Sequence, residues 1–202
     1  MKNKIILYLS ILLISITFLY PLFFNKFYSF RDTTTYVIPL KTFLMEEIRN
    51  GRIPWWNPYN GGGEYFLPNP QVNLFYPLSY LFLLPPHIAF QIFQFFQIII
   101  CFLGVYLLSK SYNKNEIEAI GYGFSIVFSG LFLSLWDLPF EMGSISFSFF
   151  TLWTLKENKF KLFTLFLSLM FFSGEPFTFL IFLFFLIFFI FKENLDWNKT
   201  IK

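Results

Sequence analysis

The sequence predicts an all-α fold: a polytopic transmembrane helix bundle of about six spans, with a long first extracytoplasmic loop that contains interfacial helices. Three observations carry this. Hydrophobic residues fill 56% of the 202 positions and charged ones only 13%, about half the charge of an average soluble domain. Aromatic residues reach 25%, with 34 Phe, the opposite of a disordered composition. The apolar residues also come in long uncharged runs with Lys at the breaks, as helices cut to bilayer thickness do.

The first run, 5–24, follows Lys2 and Lys4. It exceeds the ~7–15 apolar residues of a signal peptide, and no small-x-small cleavage site follows, so it reads as an uncleaved signal anchor. Runs 88–108 and 119–136 contain no charged residue. As helices they reach roughly 27–32 Å, close to the bilayer core. Runs 142–155, 160–172 and 177–191 are shorter, about 13–15 residues, and marginal for a crossing. Lys156, Lys159, Lys161 and Lys192 flank them and extend their reach by snorkelling. The Phe excess sits mostly in these runs as apolar filler.

Charge asymmetry orients the spans. With both termini inside, the basic residues placed outside are Lys26, Arg31, Lys41, Arg49 and Arg52, all in the loop 25–87. The inner side then holds Lys110, Lys114, the flanking lysines above, Lys199 and Lys202, as the positive-inside rule requires. The short outer turns near 137–144 and 173–176 hold no Lys or Arg. The sequon at Asn198 falls inside, where it has no role.

Loop 25–87 differs from the rest. It holds most of the 11 Pro, and a loop of this length is functional or disordered. Its many aromatics argue for order. Pro39 suits a first helical turn and Gly51 a position just past a helix end. Between them Val37, Leu40, Leu44 and Ile48 form an apolar stripe, with Lys41, Glu46, Glu47 and Arg49 largely off it. The stripe fits a helix lying at the outer membrane interface or one packed on other helices. Next, two Pro and Gly61-Gly62-Gly63 impose irregular backbone around Trp55 and Trp56. Those rings suit either interface anchoring or stacking on sugar faces. Residues 78–84 are too few to span and read as a re-entrant or interfacial half-helix stopped by Pro85-Pro86.

The sharpest chemical feature is Arg31-Asp32, just after the first span. A carboxylate there can act as a general base, and the guanidinium can hold a phosphate. A helix-capping Asp beside a solvated Arg is the alternative. The lone His87 makes a His-based metal site improbable, and Cys101 has no partner for a disulfide. There is no phosphate-binding Gly loop, paired-Cys motif or dinucleotide fingerprint. No cofactor is therefore expected, although the outward acids leave a divalent cation open. A net charge of +3 is too weak to indicate nucleic acid.

Four segments occur in order: RDTTTYVIP (31–39), NGRIPWWNPYNGGGEYF (50–66), NPQVNLFYP (69–77) and SGEP (173–176). Together they resemble the first part of the YfhO-like bacterial membrane proteins, a family of the GT-C class of multi-pass glycosyltransferases. The resemblance implies a bacterial inner-membrane enzyme that moves a sugar from a polyprenyl-phosphate carrier to an extracytoplasmic acceptor. Asp32 matches the family's catalytic acid. Arg31 becomes the candidate for the carrier phosphate. Tyr36, Trp55, Trp56, Asn57, Gln71 and Tyr76 belong to the matched motifs and would shape the cavity. Asp137, Glu141 and Glu175 share the outer face. Family members are usually longer, so the expectation is an N-terminal part of a larger architecture, with a C-terminal partner fragment. A non-catalytic membrane scaffold or subunit is the competing reading. A transporter is disfavoured by the lack of duplicated halves.

Overall fold

The computed structural model describes residues 2–29 and 31–193, and these are mostly helical. Lys199, Lys202 and the sequon lie outside the described residues. Helix α1 (Lys2–Leu19) tightens into a 3₁₀ turn at Tyr20–Phe24, where Pro21 cannot donate a backbone hydrogen bond. Helix α3 spans Pro86–Ser111. Ile5–Phe24 and Pro86–Ser111 are the helices among the described residues long and apolar enough to cross a membrane.

Helix α4 (Glu116–Val127) opens on a capping box, Asn115 with Glu118. The predicted run 119–136 is not one helix. Ser129 adopts an extended conformation, and its hydroxyl accepts from the Phe132 amide, starting the short α5 (Gly130–Leu133). A Ser that caps a new helix ends the old one. Helices α6 (Pro139–Lys156), α7 (Phe160–Phe172) and α8 (Pro176–Lys192) contain the last three runs. Pro139 and Pro176 start two of them, as fixed φ favours at first turns.

Helix α3 is central. It packs against α1, α4 and α6, and α6 in turn carries α7 and α8. Gln97 meets the start of α6 and Gly104 meets Phe149 and Phe150, so α3 and α6 run parallel. Phe102 against Phe124 and Tyr106 against Glu116 make α4 antiparallel to α3. Ser144 against Met170 and Phe150 against Phe166 make α7 antiparallel to α6. One end of the molecule therefore gathers residues 24–86, the turn 128–139 and the turn 173–176. The opposite end gathers residues 111–116, 156–160 and Glu193.

Helix α2 covers Ile38–Arg49 with Pro39 in its first turn. Gly51 follows with φ +68°. The expected stripe is buried at Val37, Leu40 and Leu44, and Met45 joins it. This face rests on the 3₁₀ segment Pro77–Leu83 and on α3, so α2 is packed on protein. Lys41 was placed off the stripe by periodicity, yet it is only 1% exposed. Pro85-Pro86 ends the 3₁₀ segment as expected and also supplies the first turn of α3.

Candidate functional site

The site is built at the end that carries the long loop. Three glutamines on α3, Gln91, Gln94 and Gln97, are fully buried. Their amides donate to the carbonyls of Phe18, Trp136 and Pro139. Gln91 also accepts from the Tyr28 amide at 3.0 Å. Phe18 lies in the last turn of α1 and Trp136 in the turn before α6, where helical partners are missing, whereas Pro139 opens α6. The three-residue spacing was visible in the sequence, but within an apolar run it did not stand out.

Arg31 has φ +28°, an uncommon value for a side chain of this size. Its Nη2 donates to Asp137 Oδ1 at 2.9 Å, and its Nε lies 2.6 Å from Oδ2. The fork holds a carboxylate that is itself buried, while the Arg31 side chain is 71% exposed. The Asp137 carboxylate raises the Arg31 pKa further, by hydrogen bond and by charge. Guanidinium has five N–H donors, so donors remain for a second anion. Asp32 starts a π-turn at Thr33–Val37, and its side chain makes no capping bond. Among the described residues the Asp32 carboxylate has no hydrogen-bond or ion-pair partner. The helix-capping alternative therefore finds no bond to support it.

Tyr36 ends that π-turn region and begins a polar chain. Its hydroxyl donates to Gln71 Oε1 at 2.7 Å and accepts from Asn69 Nδ2 at 3.1 Å. Gln71 Nε2 in turn lies 3.5 Å from Glu175 Oε2. Three of the four matched segments thereby meet. The turn 173–176 seats closely because Gly174 has φ +97°, and a Cβ there would lie 2.7 Å from the Pro70 carbonyl. Asn73 Nδ2 donates to the Ser173 carbonyl at 2.9 Å, and Ser79 Oγ donates to Asn73 Oδ1 at 2.7 Å.

Lys41 lies beneath this chain. Its Nζ donates to the carbonyls of Val72 at 2.8 Å and Gln71 at 3.2 Å, and to Ser79 Oγ at 3.3 Å. The Phe140 ring lies 5.3 Å from it. Burial pushes the Lys41 pKa well below the usual lysine range, while the surrounding oxygens favour the charged form. No carboxylate pairs with it among the described residues. Lys41, Asn73, Ser79 and Ser173 are not among the candidates the sequence offers; for Lys41 the reason is that a buried charge satisfied by backbone has no periodic signature.

Glu141 is half-buried, and burial raises its pKa; the charges of Glu175 and Asp137 raise it further, against its own backbone hydrogen bond. These three acids are therefore neighbours. Among the described residues, no three His, Cys, Asp or Glu side chains are grouped to hold a metal ion.

The remaining candidates separate. Trp56 and Asn57 form β1 (Trp56–Asn57), paired antiparallel with β2 (Glu64–Tyr65) in a small hairpin. Gly63, at φ +112°, packs against the Trp56 indole so closely that a Cβ would lie 2.2 Å from the ring. Trp55 and Trp56 are exposed. Between the hairpin and α2 runs a cleft of about 520 Å³, lined in part by Tyr36, Phe43, Glu46, Asn57, Tyr59 and Glu64. Tyr76 lies elsewhere: it is fully buried, edge-on to Phe93 and Phe147, and burial pushes its phenol pKa up. It shapes the core under the site.

Comparisons with protein-family models, with curated proteins and with solved structures find no match to this chain. The geometry is what remains: an unpaired carboxylate at Asp32, an exposed guanidinium beside it, a hydrogen-bonded polar chain, and a polar cleft.

Proposed function

We propose that the chain is a multi-pass membrane protein of about six spans with both termini inside. Its loop-bearing end acts outside the bacterial inner membrane as a glycosyltransferase of the YfhO-like, GT-C type. Asp32 would accept the proton of an acceptor hydroxyl as that oxygen attacks the anomeric carbon. The bond from that carbon to the polyprenyl phosphate breaks, the phosphate leaves with the electron pair, and configuration inverts. The free donors of Arg31 would hold the departing phosphate.

The single observation that carries this reading is the convergence of segments 31–39, 69–77 and 173–176 through Tyr36, Gln71 and Glu175. These contacts set polar side chains of three separate segments side by side at the end that bears Asp32 and Arg31. The test is sugar transfer in membranes bearing Asp32→Asn. We expect loss of about 10²–10⁴-fold, the usual share of a general base, at unchanged protein level. Full transfer by the variant would remove Asp32 from this role.

The second reading is a non-catalytic scaffold or subunit that pairs with a separate C-terminal fragment. The exposed apolar side of α8, with Phe177, Phe184 and Phe188 outward, favours it by offering a face to another helix. Co-purification of such a fragment would support this reading.

A further inference from the structure

We propose that the cleft between α2 and the β1–β2 hairpin binds an uncharged saccharide. Its volume, about 520 Å³, lies within the range of small-ligand sites. Its lining mixes the rings of Tyr36, Phe43 and Tyr59 with the polar groups of Asn57, Glu46 and Glu64. A sugar ring presents C–H faces to aromatic rings and hydroxyls to carboxylates and amides, and this lining offers both.

Charge narrows the ligand. The basic side chains of this segment each have a partner or are buried. Arg52 forks onto Glu47 at 2.8 and 2.5 Å, Arg49 donates to the Leu83 carbonyl, and Lys41 is buried. Among the described residues, the carboxylates of Glu46 and Glu64 have no hydrogen-bond or ion-pair partner. A phosphate or uronate would meet these two carboxylates in a lining that holds no Lys or Arg. Hydroxyl donors instead gain charge-assisted bonds.

The hairpin is shaped for this. Asn57 Oδ1 accepts from the Tyr59 amide at 3.0 Å, which leaves the Asn57 Nδ2 group to donate. Tyr59 packs edge-on to Phe43, with centroids 5.9 Å apart, and is 84% exposed. Tyr36 lines the cleft and also holds Gln71, so the cleft adjoins the polar chain. The saccharide is then the acceptor. That role rests on the glycosyltransferase reading, whereas saccharide binding in the cleft does not.

The test uses the full chain in lipid nanodiscs and saturation-transfer NMR. The probes are uncharged tetrasaccharides (malto-, chito- and manno-series), oligogalacturonate and choline. At least one uncharged probe should bind, and the anionic and ammonium probes should not. Tyr59→Ala and Glu64→Gln should each weaken binding about ten-fold, or about 1.4 kcal/mol, while Lys110→Met, at the opposite end, leaves it unchanged. Both altered positions are on the hairpin, so unchanged helical melting shows that the fold is kept. Binding of no uncharged probe, preference for oligogalacturonate or choline, or indifference to both variants overturns the proposal. Saccharide binding without any transfer by the native chain would sink the glycosyltransferase reading and leave the cleft assignment standing. Transfer that needs Asp32, with binding indifferent to both hairpin variants, would do the reverse.

Discussion

The two ends of the helix array both hold charged side chains, and they hold them differently. At the end opposite the long loop, Lys156 lies 2.5 Å from Glu193 and 3.7 Å from the Tyr112 ring centroid, and Tyr112 donates to Glu193 at 2.6 Å. Lys110 lies 3.5 Å from Glu116, and Lys159 lies over Trp153. Lys110 and Lys159 meet partners six positions away, and Glu193 reaches Lys156 and Tyr112 from farther along the chain; each of these ion pairs keeps some solvent contact, where a pair contributes about 0–1 kcal/mol. At the loop-bearing end, Lys41 and the three glutamines are buried and bonded to backbone carbonyls far along the chain. There a lost partner leaves an unsatisfied buried group, which costs more than the bond itself contributed. The difference teaches that one end tolerates rearrangement and the other specifies a single geometry, as a binding site needs.

That contrast can be broken by substitution. The largest effect expected is on chemistry, through the loss of transfer in Asp32→Asn described above. Next, Lys41→Met keeps the side-chain stem but strands the Gln71 and Val72 carbonyls. We expect a loss of about 3 kcal/mol, read from thermal melting in detergent, whereas Lys110→Met at the other end should cost under about 1 kcal/mol. Equal losses would erase the distinction. Gly174→Ala should cost about 2 kcal/mol, from left-handed backbone and the close Pro70 carbonyl. It should also speed amide exchange at residues 71–73.

Smaller effects sharpen it. Arg31→Ala leaves the Asp137 carboxylate buried without its counter-ion. Because Arg31 is exposed, the expected cost lies below that of breaking a fully buried pair. A double change with Asp137→Asn should recover part of it, and a simple sum of the two losses would refute the coupling.

Acid should act on the two ends in opposite senses. The Glu193 pKa is lowered by its hydrogen bonds from Lys156 and Tyr112. Its stabilisation is present above the ordinary carboxylate range and lost as pH falls through the depressed value. The Glu141 pKa is raised by burial. Its contribution is present below the ordinary range and lost as pH rises through the elevated value. Carboxyl ¹³C shifts of the two residues against pH check both signs, and like-signed shifts would contradict the contrast.

Much of the helical frame was legible in the sequence. Pro39 and Gly51 bracket α2, Pro176 opens α8, and the runs 88–108 and 160–172 fall inside helices, because period and punctuation are local. The break at Ser129 was hidden, since one hydroxyl capping a new turn does not interrupt hydropathy. Among site residues, Asp32, Arg31, Tyr36, Gln71 and Glu175 were singled out within their motifs, but which of them touch was not readable. Asp137 as the Arg31 partner, Lys41 under Gln71, and Tyr76 in the core depend on which helix ends lie side by side.

Composition and periodicity by themselves determined the helical class, the apolar runs and the polar, Pro-rich loop. Each follows from a chain's local preferences and from how much apolar surface it must hide. Only the tertiary structure decided which polar groups the loop buries. A side chain such as Lys41 is stable in the interior when carbonyls from distant segments surround it, and no sequence pattern encodes that meeting.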